Sequence, residues 1–349
     1  MYHLVRPILF KLDPEDAHHL TLQSVRLAGV LPPSRWFLQA LFAAPEKPVE
    51  VFGLKFKNAV GLAAGYDKDG IAIRGLATLG FGHVEIGTVT SRPQPGNPRP
   101  RVFRLVEDQA VINHMGFPSE GAEFAAVHLQ TALKVRRSRG ISRKSNLPII
   151  GVNLGMNKDT PLEEAAKDYV SLMKSFSSLA DYLSINISSP NTVGLRRLQG
   201  REMLEILLSA IAEERRTNAL RHGRRTPILV KLAPDLSDDE LEDALDVIVR
   251  SGMDGIIATN TTLGRAGLRS RYQKEIGGLS GDPLRVRSEA VLAQVLKRLD
   301  GRIPVVSAGG IMSPEDAKRR LDMGAALVQV YTGLIYVGPG LVQKIIRAV

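Results

Sequence analysis

From residue 59 onward the chain alternates short, almost wholly apolar runs with longer stretches whose apolar residues recur at helical spacing. The runs are Ala59 to Gly65, His83 to Thr90, Ile149 to Gly155, Tyr182 to Ser188, Ile228 to Ala233, Gly255 to Asn260, Pro304 to Gly310 and Leu327 to Gly333. Runs with no alternating polar face suit parallel strands buried on both sides. Eight of them separated by helices predict closure into a (β/α)₈ TIM barrel. Helix starts stand between them: Ser237-Asp238-Asp239-Glu240 reads as a capping box, and Ser313-Pro314-Glu315-Asp316 repeats the logic after strand 7. Asp159-Thr160-Pro161-Leu162-Glu163 offers a cap, a proline and an acidic first turn. The gap between strands 2 and 3, residues 91 to 148, needs an insertion beside the barrel mouth. Pro93, Pro95, Pro98 and Pro100 make its beginning extended and turn-rich.

Residues 1–48 lie outside this repeat and predict a small N-terminal helical extension to a barrel spanning 49–349. Leu12-Asp13-Pro14-Glu15-Asp16 resembles a helix start, and Ala17, Leu20, Val25 and Ala28 then share a helical face. A second short helix is expected from Ser34, presenting Trp36, Phe37, Leu38, Leu41 and Phe42 around much of its circumference. Such a helix is buried either by the barrel or by lipid; the chain's single Trp beside two Phe and Arg35 favours an interfacial role.

Composition narrows the chemistry. With 44% hydrophobic and 23% charged residues in a 349-residue chain, a packed core forms and disorder is excluded. Cysteine is absent, which removes disulfides, thiolate metal sites, iron–sulfur ligation and cysteine nucleophiles from the options. The formal charge of +10 favours polyanions, and basic residues gather at Arg136, Arg137, Arg139, Arg143 and Lys144 and at Arg215, Arg216, Arg221, Arg224 and Arg225. Both clusters are placed between predicted helices and strands. Neither interleaves aromatics as a single-strand platform does, so solvated loops are the preferred reading and no nucleic acid is expected. No run approaches the ~20 apolar residues of a membrane-spanning helix. Met1 to Phe10 holds Arg6 and Pro7 and lacks a signal peptide's long apolar centre.

Barrel enzymes keep their chemistry at the carboxyl ends of the strands. Those positions hold Lys68, Thr88, Asn153, Asn186, Ser189, Lys231, Thr259, Asn260, Gly309, Gly310, Tyr331 and Thr332. Hardly any carboxylate stands among them, so a metal-dependent hydrolase is disfavoured and no metal site is expected. Two lysines with several amides fit an anionic ligand rich in hydrogen-bonding groups. Gly309-Gly310, Ser313-Pro314 and Gly333 match the phosphate site that barrels build after strands 7 and 8. No G-x-G-x-x-G follows a strand, which points to a mononucleotide, and a flavin suits redox chemistry there, with Lys231 near its electron-rich ring. Asn186-Ile187-Ser188-Ser189-Pro190-Asn191 reads either as a polar turn after a strand or as a grip for a small planar molecule.

Taken together these motifs resemble the dihydroorotate dehydrogenases, specifically the membrane-associated, quinone-dependent class 2. The resemblance covers essentially the whole chain. It rests on Gly61-Leu62-Ala63-Ala64-Gly65-Tyr66-Asp67-Lys68, on Glu85 to Thr90 with Arg92-Pro93-Gln94-Pro95-Gly96-Asn97, and on Asn113-His114-Met115-Gly116-Phe117. Asn186 to Asn191, Lys231-Leu232-Ala233-Pro234-Asp235, Ala258 to Thr262, Gly277 to Gly281 and Gly309-Gly310-Ile311 complete the set.

The resemblance implies oxidation of dihydroorotate to orotate in pyrimidine biosynthesis, with FMN as hydride acceptor and a membrane quinone as final acceptor. It implies FMN contacts at Ala63, Ala64, Gly65, Tyr66, Asp67, Thr88, Asn153, Asn186, Lys231, Thr259, Gly281, Gly310, Tyr331 and Thr332. Substrate contacts are implied at Lys68, Asn113, His114, Met115, Gly116, Phe117, Asn186, Asn191, Asn260 and Thr261. Ser189 becomes the general base for the C5 proton, and Thr192 is a candidate for the relay that a serine hydroxyl needs. Class 1 relatives carry Cys at that position. Tyr66 stands where relatives often carry Leu, and His114 where a bacterial relative carries Arg; both are read as backbone or local packing contributors. The same resemblance makes residues 1–48 the membrane and quinone-access segment, attracted to anionic lipid, of a peripheral monomer on the cytoplasmic face of the inner membrane. Two other readings fit less of the chain. A flavin-dependent dihydrouridine synthase generally employs a catalytic cysteine, absent here, and a nonenzymatic membrane scaffold leaves the lysines and amides without a ligand.

Overall fold

The apolar runs form a closed parallel barrel. Its strands are β1 (Val60–Leu62), β2 (His83–Val89), β3 (Ile149–Leu154), β4 (Tyr182–Asn186), β5 (Ile228–Leu232), β6 (Gly255–Ala258), β7 (Val305–Ala308) and β8 (Leu327–Val330). Each strand pairs with the next in sequence, and β8 returns to β1. The structure, a computed structural model, describes residues 2–137 and 147–349.

Period-2 alternation divides every strand between two environments. Val84, Ile86, Leu183, Ile185, Val230, Leu232, Val328 and Val330 pack outward into the main core beneath the helices. The inward set changes character along the barrel axis. At the amino ends Phe56, Tyr182, Leu229, Ile257, Val306 and Leu327 form an apolar plug, closed below by the hairpin Val49–Val51/Leu54–Phe56. Two inward positions are glycines because aromatic rings fill the bore: a Cβ on Gly61 would meet the His83 ring at 2.0 Å, and one on Gly151 the Tyr182 ring at 2.1 Å. Further along, the inward positions turn polar, with Glu85, Ser184, Gln329, Lys231, Asn153 and Asn186, all buried. That gradient gathers these polar side chains toward the carboxyl end, while the His83 ring lies in the plug against Phe56 and Tyr182.

Both predicted capping boxes are present, Ser237 with Glu240 and Ser313 with Asp316. The start expected at Asp159 is displaced. Residues Leu162–Glu164 form a 3₁₀ turn and the helix proper is Ala165–Phe176, because Thr160 spends its hydroxyl on Asp168 at 2.7 Å instead of capping. The second basic cluster also moves: Arg215, Arg216 and Arg221 lie on the helix Arg201–His222, not between elements. Arg215 and Arg225 pair with Asp254, and Arg216 pairs with Glu213. Of the first cluster, Arg139, Arg143 and Lys144 lie outside the described residues.

The insertion after β2 supplies two strands, Val102–Leu105 and Ala110–Asn113, and the loop after β6 adds a third, Gly278–Gly281, in one antiparallel sheet. Over the same mouth lie three N-terminal helices: α1 (Tyr2–Leu9), α2 (Pro14–Val30) and α3 (Pro32–Leu41). Asp13 caps α2 as expected, accepting from the N–H groups of Glu15 and Asp16. The expected second helix, α3, begins two residues before Ser34, with prolines in its first turn. Nothing in the sequence reading anticipated α1, which is tied down by Tyr2 donating to the Ile335 carbonyl at 2.6 Å and Arg6 to that of Tyr336 at 2.9 Å. Among the described residues no helix is long and apolar enough to cross a membrane.

Candidate active site

A cavity of about 860 Å³ runs from the carboxyl ends of the strands outward between α1, α2 and α3. Lys231 lies at its barrel end, and Phe37, Leu38 and Leu41 of α3 line the other.

At the barrel end a ring of amides is locked by mutual hydrogen bonds. Thr88 donates to Asn153 Oδ1 at 2.6 Å, while Asn186 Nδ2 donates to Thr88 Oγ1 and Asn153 Oδ1 at 2.9 and 3.1 Å. Asn260 Nδ2 reaches Asn186 Oδ1 at 3.2 Å and Ser188 Oγ at 3.0 Å. Fixed partners leave each amide one orientation, so the face shown to the cavity is preorganised. Asn153 Nδ2 anchors the ring downward, to Glu85 Oε1 and Ser184 Oγ, both at 2.9 Å.

Glu85, quoted from the sequence only as part of a motif and given no site role there, lies beneath this ring. It is fully buried on β2 and also accepts from Tyr182 and Gln329, both at 3.0 Å. Burial pushes the Lys231 ammonium below its ordinary value, and the Glu85 carboxylate opposes that shift. The available signal was that Glu85 is the only carboxylate within the eight apolar runs.

The two adjacent serines have different employment. Ser188 Oγ is enclosed in the amide ring, donating to Asn186 Oδ1 at 3.1 Å, and does not face the cavity. Ser189 does face it, and its Oγ accepts the Asn191 N–H at 3.2 Å. Three residues on, the hydroxyl of Thr192 is buried without a hydrogen-bond partner among the described residues.

Around the outer rim, Asn191 Nδ2 donates to Asn113 Oδ1 at 2.9 Å, and Lys68 Nζ donates to the Gly65 carbonyl at 3.0 Å. Burial lowers the Lys68 ammonium to about 8, partly offset by Asp69, Glu15 and Asp67. Of the residues expected at the site, Ala63, Ala64, Gly65, Tyr66, Lys68, Thr88, Asn113, Met115, Gly116 and Phe117 line the cavity. So do Asn186, Ser189, Asn191, Lys231, Thr259, Asn260, Thr261, Gly281, Gly310, Tyr331 and Thr332.

Three expected residues stand behind this lining. Asn153 supports the amide ring from below. Asp67 turns its carboxylate inward to the N–H groups of Ile71 and Ala72 at 2.9 and 2.8 Å, where burial raises it to about 6. His114 meets Asn191 Oδ1 through Nδ1 at 3.4 Å. Tyr66, the departure noted above, packs its ring edge-on against His18 of α2 and reaches Thr21 Oγ1 at 3.3 Å. It thereby contributes local packing across to α2.

The arrangement can hold a planar, multiply hydrogen-bonding anion against fixed amides, with one cation beneath and another at the rim. A sequence profile of the family described as dihydroorotate dehydrogenase matches residues 47–349. The chain belongs to that family. It is 49% identical to the dihydroorotate dehydrogenase (quinone) of Halorhodospira halophila over 352 residues, covering 100% of this chain and 97% of the relative. The protein of the same name from Burkholderia cenocepacia is 46% identical over the same coverage. Among solved structures, the Eimeria tenella dihydroorotate dehydrogenase in complex with ferulenol superposes with a TM-score of 0.86 at 38% identity, covering 98% of this chain and 93% of that one. The quinone-dependent class expected from the sequence is the one the first two relatives carry in their names.

Proposed function

We infer that this chain oxidises dihydroorotate to orotate and passes the electrons to a quinone, the reaction for which its relatives are named. The observation that carries the reading is the continuity of the cavity, from Lys231, Asn186 and Ser189 at the barrel mouth to the apolar faces of α1, α2 and α3.

The residues at the barrel end fit FMN. Lys231 presents a buried ammonium to the cavity, the amide ring offers donors and acceptors fixed by mutual hydrogen bonds, and Gly309-Gly310, turning at positive φ (100° and 70°) where the backbone packs against Leu284 and Arg285, lines the cavity with Tyr331 and Thr332 as the phosphate end. FMN bound there would supply the hydride acceptor for the oxidation and the electron carrier toward the quinone. Lys231 stabilises negative charge against the ring system, and Glu85 keeps that lysine charged in a buried setting. Lys68 pairs with the substrate carboxylate, while Asn113, Asn191, Asn260 and Thr261 read its carbonyl and N–H groups. Ser189 Oγ takes the C5 proton. Its hydroxyl proton needs an exit, and Thr192, three residues on with a buried and unpartnered hydroxyl, is our candidate for the relay.

Residues 1–48 form the quinone-access segment and 49–349 the catalytic barrel. Trp36 and Phe37, 64% and 62% exposed on α3, join Leu4, Ile8, Leu20 and Leu27 in an apolar face for the membrane interface. The protein is a peripheral monomer, bound at the cytoplasmic side of the inner membrane and drawn to anionic lipid by its net charge of +10.

Stopped-flow reduction of the flavin by dihydroorotate tests the first half. Ser189→Ala slows that single turnover by about 10²- to 10⁴-fold while FMN content is retained, and an unchanged rate removes Ser189 from the base role. For the second half, a chain beginning after Pro48 loses vesicle binding and quinone turnover. Survival of both excludes residues 1–48 as the quinone-access segment.

A further inference from the structure

Glu15 is a carboxylate on the first turn of a peripheral helix, yet it is only 3% exposed. Arg101, from the mouth insertion, grips it with a guanidinium fork, Nε at 3.1 and 3.2 Å and Nη2 at 2.7 Å; Arg99 adds Nε at 3.1 Å. The remaining arm of Arg101 donates to the carbonyls of Pro95 and Asn97, each at 2.7 Å. Asn97 in turn braces the rim from behind. Its N–H bonds the Met115 carbonyl at 2.9 Å, and its Nδ2 reaches the carbonyls of His114 at 3.0 Å and Asn191 at 3.3 Å. Asn191 then bonds Asn113 and Ser189 as described. A continuous hydrogen-bonded chain therefore runs from α2 through Arg101, Asn97 and Asn191 to Ser189.

Stability alone does not account for such a pair. Buried ion pairs are often matched or bettered by apolar residues of similar volume, so the charges at this place call for another reason. Their surroundings supply one. Lys68 stands among Asp67 and Asp69 of its own segment, Glu15 and His18 of α2, and Arg101. Glu15 is thus one of the carboxylates that help keep Lys68 charged.

We propose that Glu15 is a positioning residue for the dihydroorotate site: through Arg101 it holds the 95–97 turn, and with it Asn113, Met115 and Asn191, in the geometry that receives substrate. The inference rests on the reading of Lys68, Asn113 and Asn191 as substrate ligands. It gives the N-terminal segment a part in the first half-reaction as well as in quinone access.

The test uses full-length, FMN-loaded enzyme, with orotate titrations followed by flavin absorbance and anaerobic stopped-flow reduction by dihydroorotate. E15Q raises the orotate dissociation constant about 10- to 100-fold, more than it lowers the limiting reduction rate. It also moves the alkaline limb of orotate binding to lower pH, since Lys68 loses a carboxylate neighbour. R101K keeps the charge but not the fork, so it weakens orotate binding while leaving that limb in place. A purely structural pair would lower the melting temperature of both variants and leave the dissociation constant and the limb unchanged, which overturns the proposal. If E15Q does not fold, R101K decides by the dissociation constant alone. Lys68→Met separates the two layers: unaltered orotate binding there refutes the ligand assignment, whereas weakened binding there with unaltered E15Q and R101K refutes only the role of Glu15.

Discussion

Glu85→Gln isolates the charge balance beneath the amide ring. In the parent protein Glu85 Oε2 accepts from Tyr182 and Gln329 and Oε1 from Asn153, with the Lys231 ammonium as its electrostatic partner. A glutamine carbonyl placed at Oε2 keeps the first two bonds, but its amide then confronts the Asn153 Nδ2 donor. One buried donor without an acceptor costs about 1–3 kcal/mol. Lys231, only 5% exposed, also loses the carboxylate that opposes its depression by burial, which adds to that cost. Urea denaturation of the flavin-free protein measures this difference.

The sign of the pH dependence follows from Lys231, whose folded pKa is depressed and falls further in the variant. Between that folded value and the ordinary lysine range the folded chain binds fewer protons than the unfolded one, so the variant's stability rises as pH is raised through this window. A loss below about 1 kcal/mol would refute this accounting, since the unpaired Asn153 donor alone costs at least that much. A loss that does not shrink on raising the pH refutes the same reasoning.

Two further outcomes follow from the geometry. Orotate affinity of the parent enzyme falls as pH rises through about 8, where Lys68 gives up its proton, with the midpoint moved upward by bound anion; isothermal titration at several pH values reads it, and a flat profile refutes the carboxylate pairing. Gly151→Ala forces a methyl to within 2.1 Å of the Tyr182 ring in a closed bore, and the overpacking lowers stability by about 1–3 kcal/mol, visible as a reduced melting temperature.

Periodicity alone determined the barrel. Eight runs with no polar face have nowhere to go except into strands buried on both sides, and the capping boxes at Ser237 and Ser313 are local hydrogen-bonding facts that short segments encode by themselves. The strand-end rule then collects Lys68, Asn186, Ser189 and Lys231 at one mouth from the sequence alone. Partnership over long sequence separations was decided elsewhere. α1 is too short for periodicity to register, and it is pinned by hydrogen bonds to Ile335 and Tyr336 from more than 300 residues away. The mouth sheet joins Ala110–Asn113 to Gly278–Gly281, strands contributed by two different loops. Ser189 was the serine singled out from the sequence, and the structure adds what its neighbour does: Asn260 draws Ser188 into the amide ring. Glu85 looked like an ordinary strand residue until the closed barrel set it among Asn153, Tyr182, Gln329 and Lys231. A pattern of polar and apolar positions states how deeply each residue is buried. Which buried groups meet, and so which lysine keeps its charge and which serine faces the cavity, is fixed only when the strands close.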